Sequence, residues 1–260
     1  MKVTIFSSNQ PRHLNLAREF SKIATEVFFI SEVTTLFPGR VDDFYSKSET
    51  MQIYFSKVIN SELKVFGDIC FLPENVNHLS MKMNDLNFAN TKQLSPALNS
   101  DLYVIFGSSY IKGWLIDFLV DKKAINIHMG ISPYYRGSSC NFWAIYDNNP
   151  GYVGGTIHYL NKGLDSGDIL FHCIPRTQKD DSSFDFTMRS VLATQKGLVN
   201  AVKSNEIFTM KSFKQDKTSE IRYSKNSEFN DSVAKEYLDT KIKLDNSANS
   251  YPKLINPFFY

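Results

Sequence analysis

Asn126 and His128 stand two residues apart where the run "KAINI" (123–127) gives out. If that run is a strand, its alternate residues share a face, so the amide and the imidazole project together from its carboxyl end. An amide N–H and a protonated imidazole can both donate to a developing oxyanion, and the imidazole can also carry a proton. A working imidazole needs a third group to orient it, and the turn "GLDSGD" (163–168) offers Asp165 and Asp168. Asp165, between Gly163 and Gly167, has the freer approach to a neighbouring strand end, whereas Asp168 opens the next strand. A carboxylate beside the ring would favour its charged form and select its tautomer. On spacing alone the bland reading stays open, because an Asp in a Gly-rich turn commonly bonds its own turn.

The elements that must hold these groups read as an alternation of strand and helix. "KVTIFSS", from the second residue, is a strand. Pro11 then opens a helix with apolar Leu14, Leu16, Phe20 and Ile23, and "EVFFIS" is a second strand. Strand, helix, strand in so short a span implies a parallel pair with a right-handed crossover. Residues 48–60 predict a helix, "GDICFLP" (67–73) is a strand candidate, and 73–100 read as helix or loop. A buried strand is expected at 101–109, a helix at 110–120, the "KAINI" strand, and a short helix at 139–147. The alternating stretches 155–161 and 168–174 predict a hairpin. A serine-capped helix is expected at 183–203, a strand-like run at 207–213, and a helix near 230–242. The fold class is α/β with a mixed, mostly parallel sheet at 1–175 and a smaller C-terminal extension at 176–260.

The totals exclude several classes. The 260 residues are 42% hydrophobic and 22% charged, with a net charge of only +2, and the basic residues are scattered. That is no nucleic-acid surface. No run approaches the roughly 18 apolar residues of a membrane span. Cys70, Cys140 and Cys173 are odd in number and far apart, which predicts reduced, buried thiols in a cytoplasmic protein and no metal site.

The stretch "AINIHMGISPYYRGSS…NFWAI", followed by "GLDSGDIL", resembles the formyltransferases that use formyl-tetrahydrofolate. They carry Asn-x-His, a short stretch with Pro, Tyr-Arg-Gly, and later a Leu-Asp-Ser/Thr-Gly turn. Met129 and Gly130 depart from the usual Pro-Ser, and Ser132 from a common Leu, without touching Asn126, His128 or Asp165. The resemblance implies a Rossmann-like domain, 10-formyltetrahydrofolate as donor, and those three residues as catalytic. It also implies that backbone groups of Tyr110, Ile111 and Lys112 bind the pterin edge, with Gly163 and Leu164 on the other side.

Length and extension make the chain most similar to sugar-nucleotide N-formyltransferases, which formylate an amino-dideoxy sugar for surface polysaccharide. "SSNQPRH" (7–13) then suggests a diphosphate contact through Ser8, Asn9, Arg12 and His13 at a helix N-terminus. Phe142 could stack on a base or sugar, while Trp143 reads as core. Such members are commonly homodimers, and the aromatic tail "INPFFY" would suit packing. Formylation of hydroxyornithine or methionyl-tRNA, and a silent folate- or nucleotide-binding module, remain open alternatives.

Overall fold

The computed structural model describes residues 1–33, 47–240, 244 and 251–260. Its strands are β1 (Lys2–Ser7), β2 (Glu26–Val33), β3 (Val76–Lys82), β4 (Leu102–Phe106) and β5 (Ile125–His128). They continue with β6 (Tyr135–Gly137), β7 (Gly155–Tyr159), β8 (Ile169–Ile174), β9 (Arg222–Ser224) and β10 (Phe258–Phe259). The helices are α1 (Pro11–Ser21), α2 (Glu49–Phe66), α3 (Thr91–Leu94), α4 (Gly113–Asp121), α5 (Cys140–Tyr146), α6 (Ser183–Lys203) and α7 (Asp231–Asp239).

Among the described residues, eight strands form one sheet in the order β10-β8-β7-β5-β4-β1-β2-β3. Strands β3, β2, β1, β4 and β5 run parallel, and β7 runs antiparallel between β5 and β8. The chain order reverses at β1, whose neighbours are β2 and β4, and the carboxyl ends around such a point form the crevice where ligands collect. Both faces of the sheet are covered. Leu16, Phe20, Leu198 and Val202 of α1 and α6 pack on one, while Leu115 and Leu119 of α4 pack on the other. Burial of both faces explains why β1, β4 and β8 read as nearly continuous apolar runs.

Helix signals were local and hold well. Pro11 occupies the first turn of α1, and Ser182 caps α6 in a reciprocal pair with Asp185. The helix expected from residue 110 begins at Gly113, after an extended stretch. Two strand expectations fail. "GDICFLP" is irregular, with Ile69 68% exposed, and the third parallel strand is instead Val76–Lys82 in the polar region read as helix or loop. As an edge strand exposed on both faces, it carries no apolar period to announce it. The run 207–213 is a short 3-10 turn plus a single antiparallel bridge between Phe213 and Ile169. The helix near 230–242 is α7, capped by Asn230; the last two positions expected for it lie outside the described residues. Cys140 and Cys173 are buried free thiols, but Cys70 is exposed, accepting a hydrogen bond from Arg18.

Residues 176–260 contribute α6 to the face of the main sheet, β10 to its edge beside β8, β9 to a pairing with β6, and α7 to an aromatic cluster. Among the described residues, no helix is long and apolar enough to cross a membrane.

Candidate active site

Strand β5 is where the site begins. Ile125 and Ile127 enter the larger core, so Asn126 and His128 point to the opposite face. Asp165 reaches them from the β7–β8 turn, where it holds a left-handed φ of 43°. Its Oδ2 lies 3.2 Å from His128 Nδ1, and its Oδ1 accepts a hydrogen bond from Asn126 Nδ2 at 3.1 Å. Asp168 lies outside this grouping, with its carbonyl bonded to Tyr159 N.

A fourth residue belongs here that sequence reasoning missed. His158 faces Asn126 across the β5–β7 register and accepts from Asn126 Nδ2 at 3.0 Å, while its Nδ1 donates to the Tyr159 carbonyl at 2.8 Å. The amide orientation follows from the carboxylate, which can only accept. Both N–H bonds of Asn126 are therefore used, on His158 and Asp165. This corrects the expectation that the Asn126 amide stands ready for an oxyanion; in this structure it braces the carboxylate. The signal for His158 was a histidine in the alternating stretch 155–161, but its partner needed the strand register.

The electrostatics follow from burial and pairing. His128 is buried, which opposes its charge, yet the Asp165 carboxylate and the Cys140 sulfur beside it raise the ring well above the ordinary histidine range. Burial likewise favours the neutral form of Asp165, but the charged His128 ring holds its carboxyl well below the usual range. His128 Nε2 donates more weakly to the Tyr135 carbonyl, at 3.3 Å.

The departure at Met129-Gly130 also has a reason. A Cβ at Gly130 would lie 2.5 Å from Cys140 Cβ and 2.9 Å from His128 Nε2. This chain fills with Cys140 the space that a side chain at 130 would need.

Two cavities open on this centre. One, of about 310 Å³, is lined by Tyr110, Ile111, Gly163 and Leu164 together with Asn126, His128, His158 and Asp165. The other, of about 370 Å³, is lined by Arg12 and His13 and by the aromatic wall Tyr54, Phe142, Phe184 and Tyr237. Phe106, Gly107, His128 and Met129 line both, so the two meet at the His128 ring.

Some expected contacts are already taken. The Asn87 side chain donates to the Tyr110 carbonyl at 3.1 Å and accepts from Lys112 N at 2.7 Å, occupying backbone groups assigned to the pterin. The Lys112 side chain lies over the Tyr110 ring and lines neither cavity. The diphosphate contact at 7–13 fares similarly. Glu62 Oε1 accepts from Arg12 N at 3.0 Å and pairs with the Arg12 guanidinium at 2.8 Å. A buried carboxylate of the protein thus already sits at the positive end of α1. Ser8 is buried with its hydroxyl on the Glu32 carbonyl, and Asn9 is exposed and lines neither cavity. His13 is buried against Phe106, and burial with the nearby Arg12 charge lowers its pKa well below the ordinary value. Trp143 is core, under the Arg222 guanidinium.

Residues 74–202 match the model of the formyl transferase family. Through this segment the chain belongs to the formyl transferase family. The formyl transferase segment includes every residue of the Asn126–His128–His158–Asp165 cluster. In sequence the chain is 29% identical over 120 residues to a methionyl-tRNA formyltransferase from Anaeromyxobacter sp. (strain K), matching 46% of this chain and 38% of that one. It is 29% identical over 100 residues to the mitochondrial formyltetrahydrofolate deformylase 2 of Arabidopsis thaliana, matching 38% of this chain and 28% of that one. The matches thus span well under half of these relatives.

Among solved structures, a 4-N formyltransferase from Francisella tularensis aligns over 99% of this chain and 91% of its own, with a TM-score of 0.52 at 16% identity. An N-formyltransferase from Helicobacter canadensis, solved with folinic acid and dTDP-3-aminofucose, aligns over 88% and 72%, with a TM-score of 0.51 at 16% identity. At such identities the likeness establishes the shared Rossmann-like fold.

Proposed function

We propose that the protein transfers a formyl group from 10-formyltetrahydrofolate to the amino group of a nucleotide-linked amino-dideoxy sugar. The observation that carries this reading is the pair of cavities meeting at His128, with Asp165 against the ring. A transfer between two bound molecules needs both sites open to one reacting centre, and positioning alone supplies much of the rate. The cavity beside Tyr110 and Leu164 is the donor side. The aromatic cavity is the acceptor side, where Phe142 and Tyr237 suit a deoxygenated sugar ring.

In this reading a neutral amine attacks the formyl carbon, forming a C–N bond and an oxyanion. The charged ring of His128 stabilises that oxyanion, its Nε2–H exchanging the weak 3.3 Å bond to the Tyr135 carbonyl for the new oxygen, and such a donor is typically worth roughly 3 to 4 kcal/mol. Asp165 keeps the ring charged and relays the amine's proton, directly or through water, to the departing folate nitrogen. Collapse breaks the bond to the folate nitrogen, which takes up that relayed proton and leaves as the neutral secondary amine of tetrahydrofolate. Asn126 and His158 hold Asp165 in place.

The solved relatives support the sugar acceptor, since one was crystallised with folinic acid and dTDP-3-aminofucose. The curated relatives favour a second reading, formylation of methionyl-tRNA. Formyl transfer and thermal stabilisation measured with dTDP-, UDP- and GDP-linked amino sugars, with charged tRNA, and with no acceptor would separate them. Formylated sugar nucleotide is the expected product. Activity with tRNA alone, or release of formate alone, would remove the sugar reading.

A further inference from the structure

The turn that carries Asp165 is held from outside by a distant part of the chain. Gln215 Nε2 donates to the carbonyls of Asp165 at 2.9 Å and of Gly167 at 2.8 Å. Arg136 donates to the Leu164 carbonyl at 3.3 Å and is itself paired with Glu220 at 2.9 Å. The segment supplying Gln215 and Glu220 is pinned at both ends. Phe213 exchanges backbone bonds of 2.7 and 2.8 Å with Ile169 at the base of β8. Beyond Glu220, strand β9 pairs with Tyr135–Gly137, and Gly137 holds a left-handed φ of 88° where any side chain would strike the Ser224 carbonyl. The Tyr-Arg-Gly stretch is therefore the seat of a strap, Phe213–Ser224, that crosses from β8 to β6 over the Asp165 turn.

The turn needs such a hold. Asp165 is a non-glycine residue in the left-handed region, a conformation that persists only when its surroundings enforce it. Asn161 ties the inner side, accepting from Gly163 N and Ser166 Oγ at 3.1 and 3.0 Å. Tyr110 donates to the Lys162 carbonyl at 2.6 Å. None of these three bonds reaches the carbonyls of residues 164, 165 and 167, which are met by Arg136 and Gln215.

We propose that Gln215 is a positioning residue for Asp165, and that the strap Phe213–Ser224 sets the distance between the Asp165 carboxylate and the His128 ring. This rests on the transfer reading for its catalytic consequence, but the geometry it asserts is independent of the acceptor. Loss of the two bonds from Gln215 lets the turn relax, and the carboxylate leaves the ring while both cavities keep their walls.

The test is an NMR titration of the His128 ring in wild type, Gln215→Met, Glu220→Gln and Lys217→Ala. Met matches the shape of Gln without its donors, and Lys217 is an exposed residue of the same strap. The groups facing the ring are the Asp165 carboxylate and the Cys140 sulfur, with His158 beyond the carboxylate. The expected result is a fall of the His128 midpoint by about one pH unit in Gln215→Met. A smaller fall is expected in Glu220→Gln and none in Lys217→Ala. With an acceptor that supports turnover, kcat falls roughly tenfold or more with acceptor KM little changed. An unmoved His128 midpoint in folded Gln215→Met or Glu220→Gln overturns the proposal, whatever happens to the melting temperature. A moved midpoint in a protein that formylates no acceptor would sustain the strap and remove the transfer reading.

Discussion

Replacing Asp165 with Asn tests the centre most directly. At 3.2 Å from His128 Nδ1, a full charge pair at an effective dielectric near 20 interacts by roughly 5 kcal/mol. Desolvation of the buried ring offsets part of this, and what is left still lifts His128 well above its ordinary range. Asn keeps the shape but carries no charge, so the ring keeps its burial penalty and loses the larger of its two compensating partners, leaving only the Cys140 sulfur. His128 should then titrate below about 6.5 and be largely neutral at neutral pH. A neutral ring stabilises an oxyanion far less, and the expected loss in kcat is about 100- to 1000-fold, or roughly 3 to 4 kcal/mol.

The pH profile gives a second reading of the same event. Wild type should hold its activity as pH rises past the ordinary histidine value, whereas Asp165→Asn should lose it at lower pH. The contact also stabilises the fold between the two titrations. That contribution is lost as pH falls through the lowered carboxyl value, and again as pH rises through the raised ring value. The assay is steady-state release of tetrahydrofolate across pH, with thermal melts to confirm folding. Turnover within about threefold of wild type with an unshifted profile would refute the reasoning.

Two further outcomes follow from buried contacts. Gly130→Ser should lower stability by about 1 to 3 kcal/mol, because its Cβ falls on Cys140 and His128; adding Cys140→Ala, which leaves the contacting Cβ, should return little, and a neutral Gly130→Ser in urea melts would show that the loop gives way. His172 donates from Nε2 to the Ser132 carbonyl and accepts from Ile255 N at Nδ1, and burial pushes its pKa down to about 4. The unfolded chain therefore binds this proton first. Stability should fall by about 3 kcal/mol as pH drops from about 6.5 to 4 through this group alone, and His172→Gln should show a shallower decline in urea melts.

Local geometry carried much of the site into view from the sequence. Residues two apart on a strand must share a face, so the spacing by itself pairs Asn126 with His128. The glycines around Asp165 marked the turn that brings the third member, and serines marked the start of α6. These inferences succeed because strand period, turn chemistry and helix caps depend on residues within a few positions of one another.

What only the tertiary structure decided lies at contacts far apart in the chain. His158 joins the centre through the register of β5 against β7, and Gln215 reaches the Asp165 turn from fifty residues away. Glu62 cancels the charge at the start of α1, which the stretch "SSNQPRH" alone could not show. Asn87 closes on the Tyr110–Lys112 backbone for the same reason. Even the odd Gly130 became intelligible only when Cys140 was found in the space a side chain would fill. A sequence specifies such pairs, but it writes no period for them. Partners brought together by the fold share no spacing along the chain, and only packing shows which polar group has already been met.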